Sequence, residues 1–160
     1  MFGLGKKKLV ADEQLYAPVT GDVIDLGQVS DPVFAQKMMG DGFAIVPENG
    51  EVVAPVTGKV TIASGHAIGL QRADGLEILL HLGIDTVQLN GAPFDIQVKV
   101  GDIVAGGDAL VNVDWQQIKD ADLDTTTMII ITNTAESLDQ LVVTNDHYQA
   151  GQVVGSATAK

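Results

Sequence analysis

Short apolar segments, rich in valine and isoleucine and separated by glycine-bearing turns, run through almost the whole chain. The sequence holds 20 valines and 12 isoleucines, and both side chains are favoured on the pleated surface of a strand. Turn signals recur about every 8–12 residues, a spacing typical of sandwiches and barrels of short strands. We therefore predict an all-β fold, an antiparallel β-sandwich or barrel-sandwich. The strands predicted most clearly are residues 52–60, 67–71, 77–82, 128–132 and 140–144.

One or two short helical turns are expected within this pattern. In residues 114–122 a capping side chain, Asp114, is followed three residues later by Gln117, which is a helix-start signal. Residues 31–39 predict a second short turn, which ends before a pair of closely spaced glycines. Both segments are too short to change the fold class.

The chain nearly repeats itself once. Residues 17–23 (APVTGDV) return as residues 54–60 (APVTGKV). Two copies are too few for a solenoid, which needs three or more stacked units. We interpret them as two similar entries into strands on a pseudo-symmetric barrel.

The composition bounds the class of protein. The chain has 160 residues, 46% of them hydrophobic, which suits one domain with a sizeable core. It has no cysteine, so disulfides, thiolate nucleophiles and cysteine-based metal sites are excluded. A net charge of −12 and an aromatic content of 4% oppose binding to nucleic acid, which needs basic and stacking side chains.

Residues 1–12 differ from the rest, because Lys6, Lys7 and Lys8 cluster there. The apolar stretch is too short and the lysines come too late for a secretory signal peptide. We expect a basic, flexible segment preceding a domain of residues 13–160. Residues 1–10 are either a frayed terminus or a weakly amphipathic tail that contacts anionic lipid.

His66 and His81 are the candidate reactive side chains. They flank a predicted hairpin whose turn contains the dipeptide Asp74-Gly75. Residues that oppose each other in an antiparallel hairpin have a constant sum of residue numbers. That sum is odd when the loop has an even length, and the sum of 66 and 81 is also odd. With an even loop the two histidines therefore share one face of the hairpin, with their Cβ atoms within about 4.5–8 Å of each other. A loop of odd length would put them on opposite faces.

Such a pair of imidazoles has three interpretations. A metal site would need further ligands, and no nearby His or Cys supplies them. A purely structural pair is the second interpretation. The third is a nucleophilic histidine with a helper, and Ser64, two residues before His66, could then fix the tautomer of the helper ring. We expect His147 to be a loop residue without a partner, and the sequence has no catalytic triad, phosphate-binding loop or dinucleotide fingerprint.

Residues 75–91 (GLEILLHLGIDTVQLNG) resemble the signature of the glucose-type enzyme IIA domain of the bacterial sugar phosphotransferase system. The resemblance runs from about residue 16 to residue 154. It is supported by residues 39–45 (MGDGFAI), 54–58 (APVTG) and 66–69 (HAIG). The basic lead before the domain is also similar to that of freestanding family members.

The resemblance implies a phosphoryl relay on an antiparallel β-sandwich. The histidine-containing phosphocarrier protein would phosphorylate His81, and the group would pass to a cysteine of a sugar-specific IIB domain. His66 takes the helper role, and Ser64 stands where the family usually has threonine. No cofactor is required beyond the transient phosphohistidine. A zinc ion shared by His66, His81 and a partner carboxylate is a further, weaker expectation.

The resemblance also implies a partner-binding rim and a cytoplasmic location, which includes the inner face of the membrane. The rim would include Asp31, Phe34, Ile68, Leu79 and Asp85, with the two aspartates facing basic residues of the phosphocarrier. The permease partners determine which sugar is transported, so this sequence does not identify the sugar. Two alternatives stay open: a IIA protein acting mainly as a phosphorylation-dependent regulator of other proteins, and a metallopeptidase-like barrel.

Overall fold

The computed structural model describes residues 8–160 and is built almost wholly from short antiparallel strands, as predicted. Three short α-helices accompany them, α1 (Pro32–Ala35), α2 (Trp115–Asp120) and α3 (Thr134–Ser137), together with two 3-10 turns, Leu26–Gln28 and Thr86–Leu89. The strands within these residues are β1 (Gln14–Tyr16), β2 (Gly21–Asp25), β3 (Asp41–Pro47), β4 (Glu51–Val53), β5 (Gly58–Ser64), β6 (Ala67–Gln71), β7 (Glu77–His81), β8 (Phe94–Ile96), β9 (Ile103–Val104), β10 (Ala109–Val113), β11 (Thr127–Ile131), β12 (Leu138–Val143), β13 (His147–Tyr148) and β14 (Val153–Ala159).

One large sheet and two small sheets enclose the core. The large sheet has eight strands in the order β13-β2-β3-β11-β7-β6-β5-β9. The small sheets have the orders β1-β14-β12 and β4-β10-β8. Side chains alternate between the two faces of each strand, so every second residue of the large sheet points into the core. The inner face of its central strands carries Phe43, Ile45, Ile68, Leu70, Ile78, Leu80, Ile129 and Ile131.

The two repeated segments form a pseudo-twofold crossing at the base of the core. The Tyr16 N–H donates to the Pro55 carbonyl at 2.8 Å, and the Val53 N–H donates to the Pro18 carbonyl at 2.7 Å. Each bond runs from the residue just before one repeat to the proline of the other, so the two bonds are equivalent and opposite in direction. The alanine of each repeat, Ala17 in one copy, is fully buried in the crossing. The expectation of a pseudo-symmetric pair of strand entries agrees with this arrangement.

Several predicted boundaries differ from the observed ones. Residues 52–60, predicted as one strand, form β4 and β5 with a break between them, because Pro55 lacks the N–H that a ladder needs. The predicted helical turns are present as α1 and α2, both shorter than expected. Helix α3 is not predicted by the sequence, since Asn133 and Thr134 give only a loop signal.

The N-terminal prediction falls partly outside the described residues, because residues 1–7 are not among them. The predicted lipid contact of residues 1–10 depends mainly on that part. Asp12, placed at the end of the flexible segment, is instead fastened to the domain. It accepts hydrogen bonds from the Tyr16 hydroxyl at 2.7 Å and the Thr57 hydroxyl at 2.9 Å. Among residues 8–160, no helix is long and apolar enough to cross a membrane.

Strands β3 and β11 approach each other closely at Gly42. A Cβ atom on Gly42 would lie 1.8 Å from the Ile129 carbonyl oxygen, so the strands would have to separate. We expect Gly42→Ala to lower the free energy of unfolding by about 2 kcal/mol or more, the scale of overpacking. The matched control is Gly27→Ala, where a Cβ would meet no atom within 4 Å. Urea unfolding of both variants is the measurement, and equal losses of stability would contradict this account.

Candidate active site

The two histidines lie on the outer face of the large sheet, away from the main core. A second, smaller apolar cluster covers this face where the segment of residues 26–35 crosses it. The cluster consists of Leu26, Val29, Phe34, Ala44, Ile84, Met128 and Ile130, with Ile24 and Leu79 packed against it. His81 pairs with Met128 across the ladder between β7 and β11. It therefore lies at the edge of this apolar cluster, where the covering segment ends.

His81 is the last residue of β7, and its ring is held by the turn that follows. The Nδ1 atom lies 2.7 Å from the Gly83 carbonyl oxygen. A carbonyl only accepts, so Nδ1 must carry the proton, and in the neutral ring Nε2 keeps a free lone pair. Gly83 has φ +80, a left-handed conformation that favours glycine. The imidazole is therefore set in the tautomer that a nucleophile attacking through Nε2 requires.

The turn that carries this carbonyl is itself fixed by buried hydrogen bonds. The hydroxyl of Thr86, which is fully buried, donates to the Leu82 carbonyl at 2.7 Å. The Ile84 N–H donates to the Asp124 carbonyl at 2.9 Å, which ties the turn to the segment just before β11. These residues do not contact a reacting group, but they position the Gly83 oxygen.

His66 reaches His81 by a route different from the one predicted. The hairpin loop between β6 and β7 is residues 72–76, an odd number, and Ala67 rather than His66 opposes His81. Strand alternation alone would put the two histidines on opposite faces. However, His66 belongs to the two-residue turn between β5 and β6, where the pleat does not apply. The ring centroids of His66 and His81 are 5.2 Å apart, nearly edge to face.

The third ring of the site is Phe34. Its centroid lies 5.0 Å from that of His81. Asp31 precedes it as the N-cap of α1 and accepts a hydrogen bond from the Val33 N–H at 2.9 Å. Phe34 is only 6% exposed, so it supports the His81 ring and leaves little surface for the partner contact predicted for it.

Burial dominates the electrostatics of both histidines. It lowers the pKa of His81 below its ordinary value, and the nearby His66 ring acts in the same direction. The Gly83 carbonyl and the carboxylates of Asp31 and Asp85 oppose this shift without reversing it. Burial also lowers the pKa of His66. Both rings are therefore neutral at pH 7, as nucleophilic attack by His81 requires.

The remaining predicted site residues are placed unequally. Leu79 shares the outer face with His81 and is half-buried, and Ile62, on the same face, is 45% exposed. The prediction that Ile68 belongs to the partner-binding rim is wrong. Ala67 opposes His81 and shares its face of the sheet. Ile68, the next residue along β6, points to the other face, into the core, and is 0% exposed.

Asp85 and Ser64 both lie on the exposed margin of the site. Asp85 has a left-handed backbone (φ 61), and its carboxylate makes no capping hydrogen bond to the following turn. Ser64 is expected to orient His66, but no hydrogen bond joins its hydroxyl to that ring among the contacts of residues 8–160. The role of Ser64 stays a prediction.

Sequence reasoning missed two features. The Gly83 carbonyl carries no side-chain signal, although a glycine two residues after a strand-end histidine marks such a turn. His147, expected to be unpartnered in a loop, lies instead in β13, and its Nε2 atom is 2.8 Å from a carboxylate oxygen of Glu48. Neither His66 nor His81 belongs to a group of three potential metal ligands within the described part of the chain.

A model of the family described as "phosphoenolpyruvate-dependent sugar phosphotransferase system, EIIA 1" matches residues 13–137. The chain belongs to this family. The resemblance inferred from residues 75–91 is thereby confirmed, and so is the assignment as a transferase, because EIIA components are phosphotransferase components.

Relatives and a solved structure agree with this EIIA assignment. The PTS system glucose-specific EIIA component of Halalkalibacterium halodurans is 44% identical over 150 residues, which are 89% of this chain and 84% of the relative. The glucoside-specific EIICBA component of Staphylococcus carnosus is 53% identical over 121 residues, but the match spans only 18% of that relative. The glucose permease IIA structure from Mycoplasma capricolum has a TM-score of 0.82 and 38% identity, and the match covers 93% of this chain and 96% of that one.

The order of effects on His81 can be tested by titration. We expect its ring C–H resonance to titrate below about 6.5, the ordinary histidine value, because burial outweighs the Gly83 and carboxylate contributions. In His66→Gln the midpoint should rise, since a neighbouring ring that can become cationic is lost, but it should stay below the value in urea-unfolded protein. Proton NMR from pH 4 to 9 measures both. A midpoint at or above 6.5 would mean that the carboxylates, not burial, dominate.

Proposed function

We propose that this EIIA protein relays a phosphoryl group through Nε2 of His81. The donor is the histidine-containing phosphocarrier protein, and the acceptor is a IIB domain of a sugar permease. The observation that carries the proposal is the 2.7 Å contact between Nδ1 of His81 and the Gly83 carbonyl, which leaves Nε2 as the nucleophile. The glucose-specific names of the relatives support glucose, or a related sugar, as the final acceptor.

The chemistry is a balanced exchange of phosphorus–nitrogen bonds. The lone pair of His81 Nε2 attacks phosphorus, a new N–P bond forms, and the N–P bond of the donor phosphohistidine breaks. The electron pair stays on the donor imidazole. In the second transfer the IIB nucleophile, a cysteine thiolate in the family, attacks the same phosphorus and the His81–P bond breaks. Positioning and charge stabilisation supply most of the rate in such transfers.

His66 is placed to stabilise the transferred group rather than to accept it. Its ring, 5.2 Å from that of His81, can donate an N–H to a phosphoryl oxygen. No backbone acceptor fixes its tautomer among the hydrogen bonds of the described residues, in contrast to His81. Phe34 excludes water from one side of the His81 ring, which strengthens electrostatic interactions there.

The surface around His81 supports docking of a basic, partly apolar partner. Exposed apolar side chains lie on or beside this face, including Ile62 (45% exposed) and Val33 (40% exposed). The carboxylates of Asp31 and Asp85 are close enough to His81 to affect its pKa. The relay would take place in the cytoplasm, where both phosphorylated donors and IIB domains are found in this family. The transient phosphohistidine is the only modification that the reaction needs.

Substitution of the two histidines tests the proposal. We incubate the chain with labelled phosphoenolpyruvate and the phosphocarrier proteins of the system, and we expect it to acquire acid-labile label that His81→Ala abolishes. His66→Ala should still be labelled, but onward transfer should slow about 10²-fold, the scale of losing one preorganised donor. His147→Ala is the matched control. Label retained in His81→Ala, with native circular dichroism, would refute the assignment.

The two aspartates should govern the rate of encounter with the phosphocarrier. Asparagine is the proper replacement, because it caps helices and tolerates the left-handed conformation. Asp31→Asn with Asp85→Asn should slow labelling several-fold at 0.01 M salt, and the deficit should shrink toward 0.1 M, as the Debye length falls from about 30 Å to about 10 Å.

The control for this experiment is Asp95→Asn with Asp139→Asn, which removes the same charge from exposed positions on the small sheets. Quench-flow labelling rates across the salt range give the comparison. An equal deficit in the control pair would mean that net charge matters rather than the position of the carboxylates. A deficit in the Asp31 and Asp85 variant that ignores salt would mean that the substitutions disturb the turns.

A further inference from the structure

A second cluster of ligating side chains lies at the edge of the large sheet, away from His66 and His81. Asp22, Glu48 and His147 each present one nitrogen or oxygen atom, and these atoms lie within 4.8 Å of one another. All three side chains are exposed to solvent. The proposed phosphoryl transfer uses none of them.

The backbone holds these three residues in place. His147 on β13 is directly opposite Asp22 on β2, so their side chains share one face at neighbouring positions. The Val23 N–H donates to the Asp146 carbonyl at 2.9 Å, which locks β13 to β2. The Glu48 N–H donates to the Thr20 carbonyl at 2.9 Å, which holds the end of β3 beside β2. Two members of the cluster therefore lie on paired strands, and Glu48 is the first residue after β3.

The cluster shares the outer face with the proposed transfer site. Asp22 opposes Val46, and Ile24 opposes Ala44, a member of the outer apolar cluster. Alternation therefore puts Asp22 on the same side of the sheet as His81. Strands β3 and β11 lie between β2 and β7, so three strand spacings, about 14 Å across the sheet, separate the two sites, which are also offset along the strands.

The donor set determines the class of ion. One imidazole nitrogen with two carboxylates suits zinc and other first-row divalent metals, whereas Mg²⁺ and Ca²⁺ prefer oxygen ligands alone. Two ligands of one zinc ion lie about 3.4 Å apart, given metal–ligand distances of about 2.0–2.2 Å. The Nε2 atom of His147 is already 2.8 Å from the Glu48 carboxylate. This pair must therefore open by about 0.6 Å to admit the ion, while the Asp22 oxygen lies within 4.8 Å of both atoms. All three side chains are exposed and free to make these small rotations.

We propose that Asp22, Glu48 and His147 form a zinc site with water in the remaining coordination position. The His147 ring must then carry its proton on Nδ1, because Nε2 gives its lone pair to the metal. If the ring is protonated beforehand, one proton is released to solvent. The ion bridges β13, β2 and β3 and binds only the folded chain, so it stabilises the fold by mass action.

Zinc titration of the full chain in chelator-treated buffer at pH 7 tests the site. We expect zinc chloride to raise the melting temperature and to shift the His147 ring resonances. His147→Gln, Asp22→Asn and Glu48→Gln should each weaken zinc affinity by calorimetry about tenfold or more. Magnesium chloride at the same concentration should shift neither readout.

Two matched variants show whether the zinc effect belongs to these three ligands. Asp146→Asn removes a charge beside His147 and keeps a side-chain oxygen that can accept the hydrogen bond from the His147 N–H, as Asp146 does at 2.8 Å. It should change zinc affinity less than about twofold. His66→Gln with His81→Gln removes the other imidazole pair and should leave the His147 shift intact. Equal weakening by Asp146→Asn would mean that net charge, not coordination, attracts the ion. Any of three results would overturn the proposal. They are this equal weakening, zinc binding that is unchanged in His147→Gln, and zinc binding that is lost only when His66 and His81 are replaced.

Discussion

The structure depends on the pairing of β7 with β11 at the centre of the large sheet, where both faces are covered. All five residues of β11 are buried. Ile129 and Ile131 pack into the main core, and Met128 and Ile130 pack under the segment that carries Phe34. A strand covered on both sides cannot slip in register without moving apolar side chains into water. His81 takes its place from that register, opposite Met128, and owes its desolvation to the same cover.

Strand alternation made much of this fold predictable and also explains where the predictions failed. The limits of β6 follow from a short apolar run bounded by turn residues, and the structure has the same limits. The failure at residues 52–60 arose because Val56, buried in the crossing of the repeats, has the same apolar character as a strand residue. Ile68 was assigned to the rim because its neighbourhood matches a family motif. Strand alternation, counted from the residue that opposes His81, places Ile68 in the core.

The contact between His66 and His81 was predicted for a reason that does not hold. The sum of residue numbers places two residues on one face only if the hairpin loop is even and both residues lie in regular strands. The loop here is odd, and His66 lies in a turn. A turn residue escapes alternation, so its direction depends on backbone geometry that residue types do not encode. The same applies to the Gly83 carbonyl, which selects the tautomer of His81 and has no side chain to signal it. The apolar surroundings of His81 were predictable; the orientation of its partners was not.

The proposed relay needs a neutral nucleophile, His81, in a negatively charged protein, and burial makes the two compatible. Asp31 and Asp85 favour the protonated, non-nucleophilic form of His81, but desolvation by the apolar cover acts more strongly in the opposite direction. Both carboxylates therefore stay available to attract a basic donor without disabling the ring. Once His81 carries a phosphoryl group, with close to two negative charges, the same carboxylates repel it through a partly desolvated medium. In the proposed relay, this repulsion opposes long retention of the group and favours its transfer to the next nucleophile.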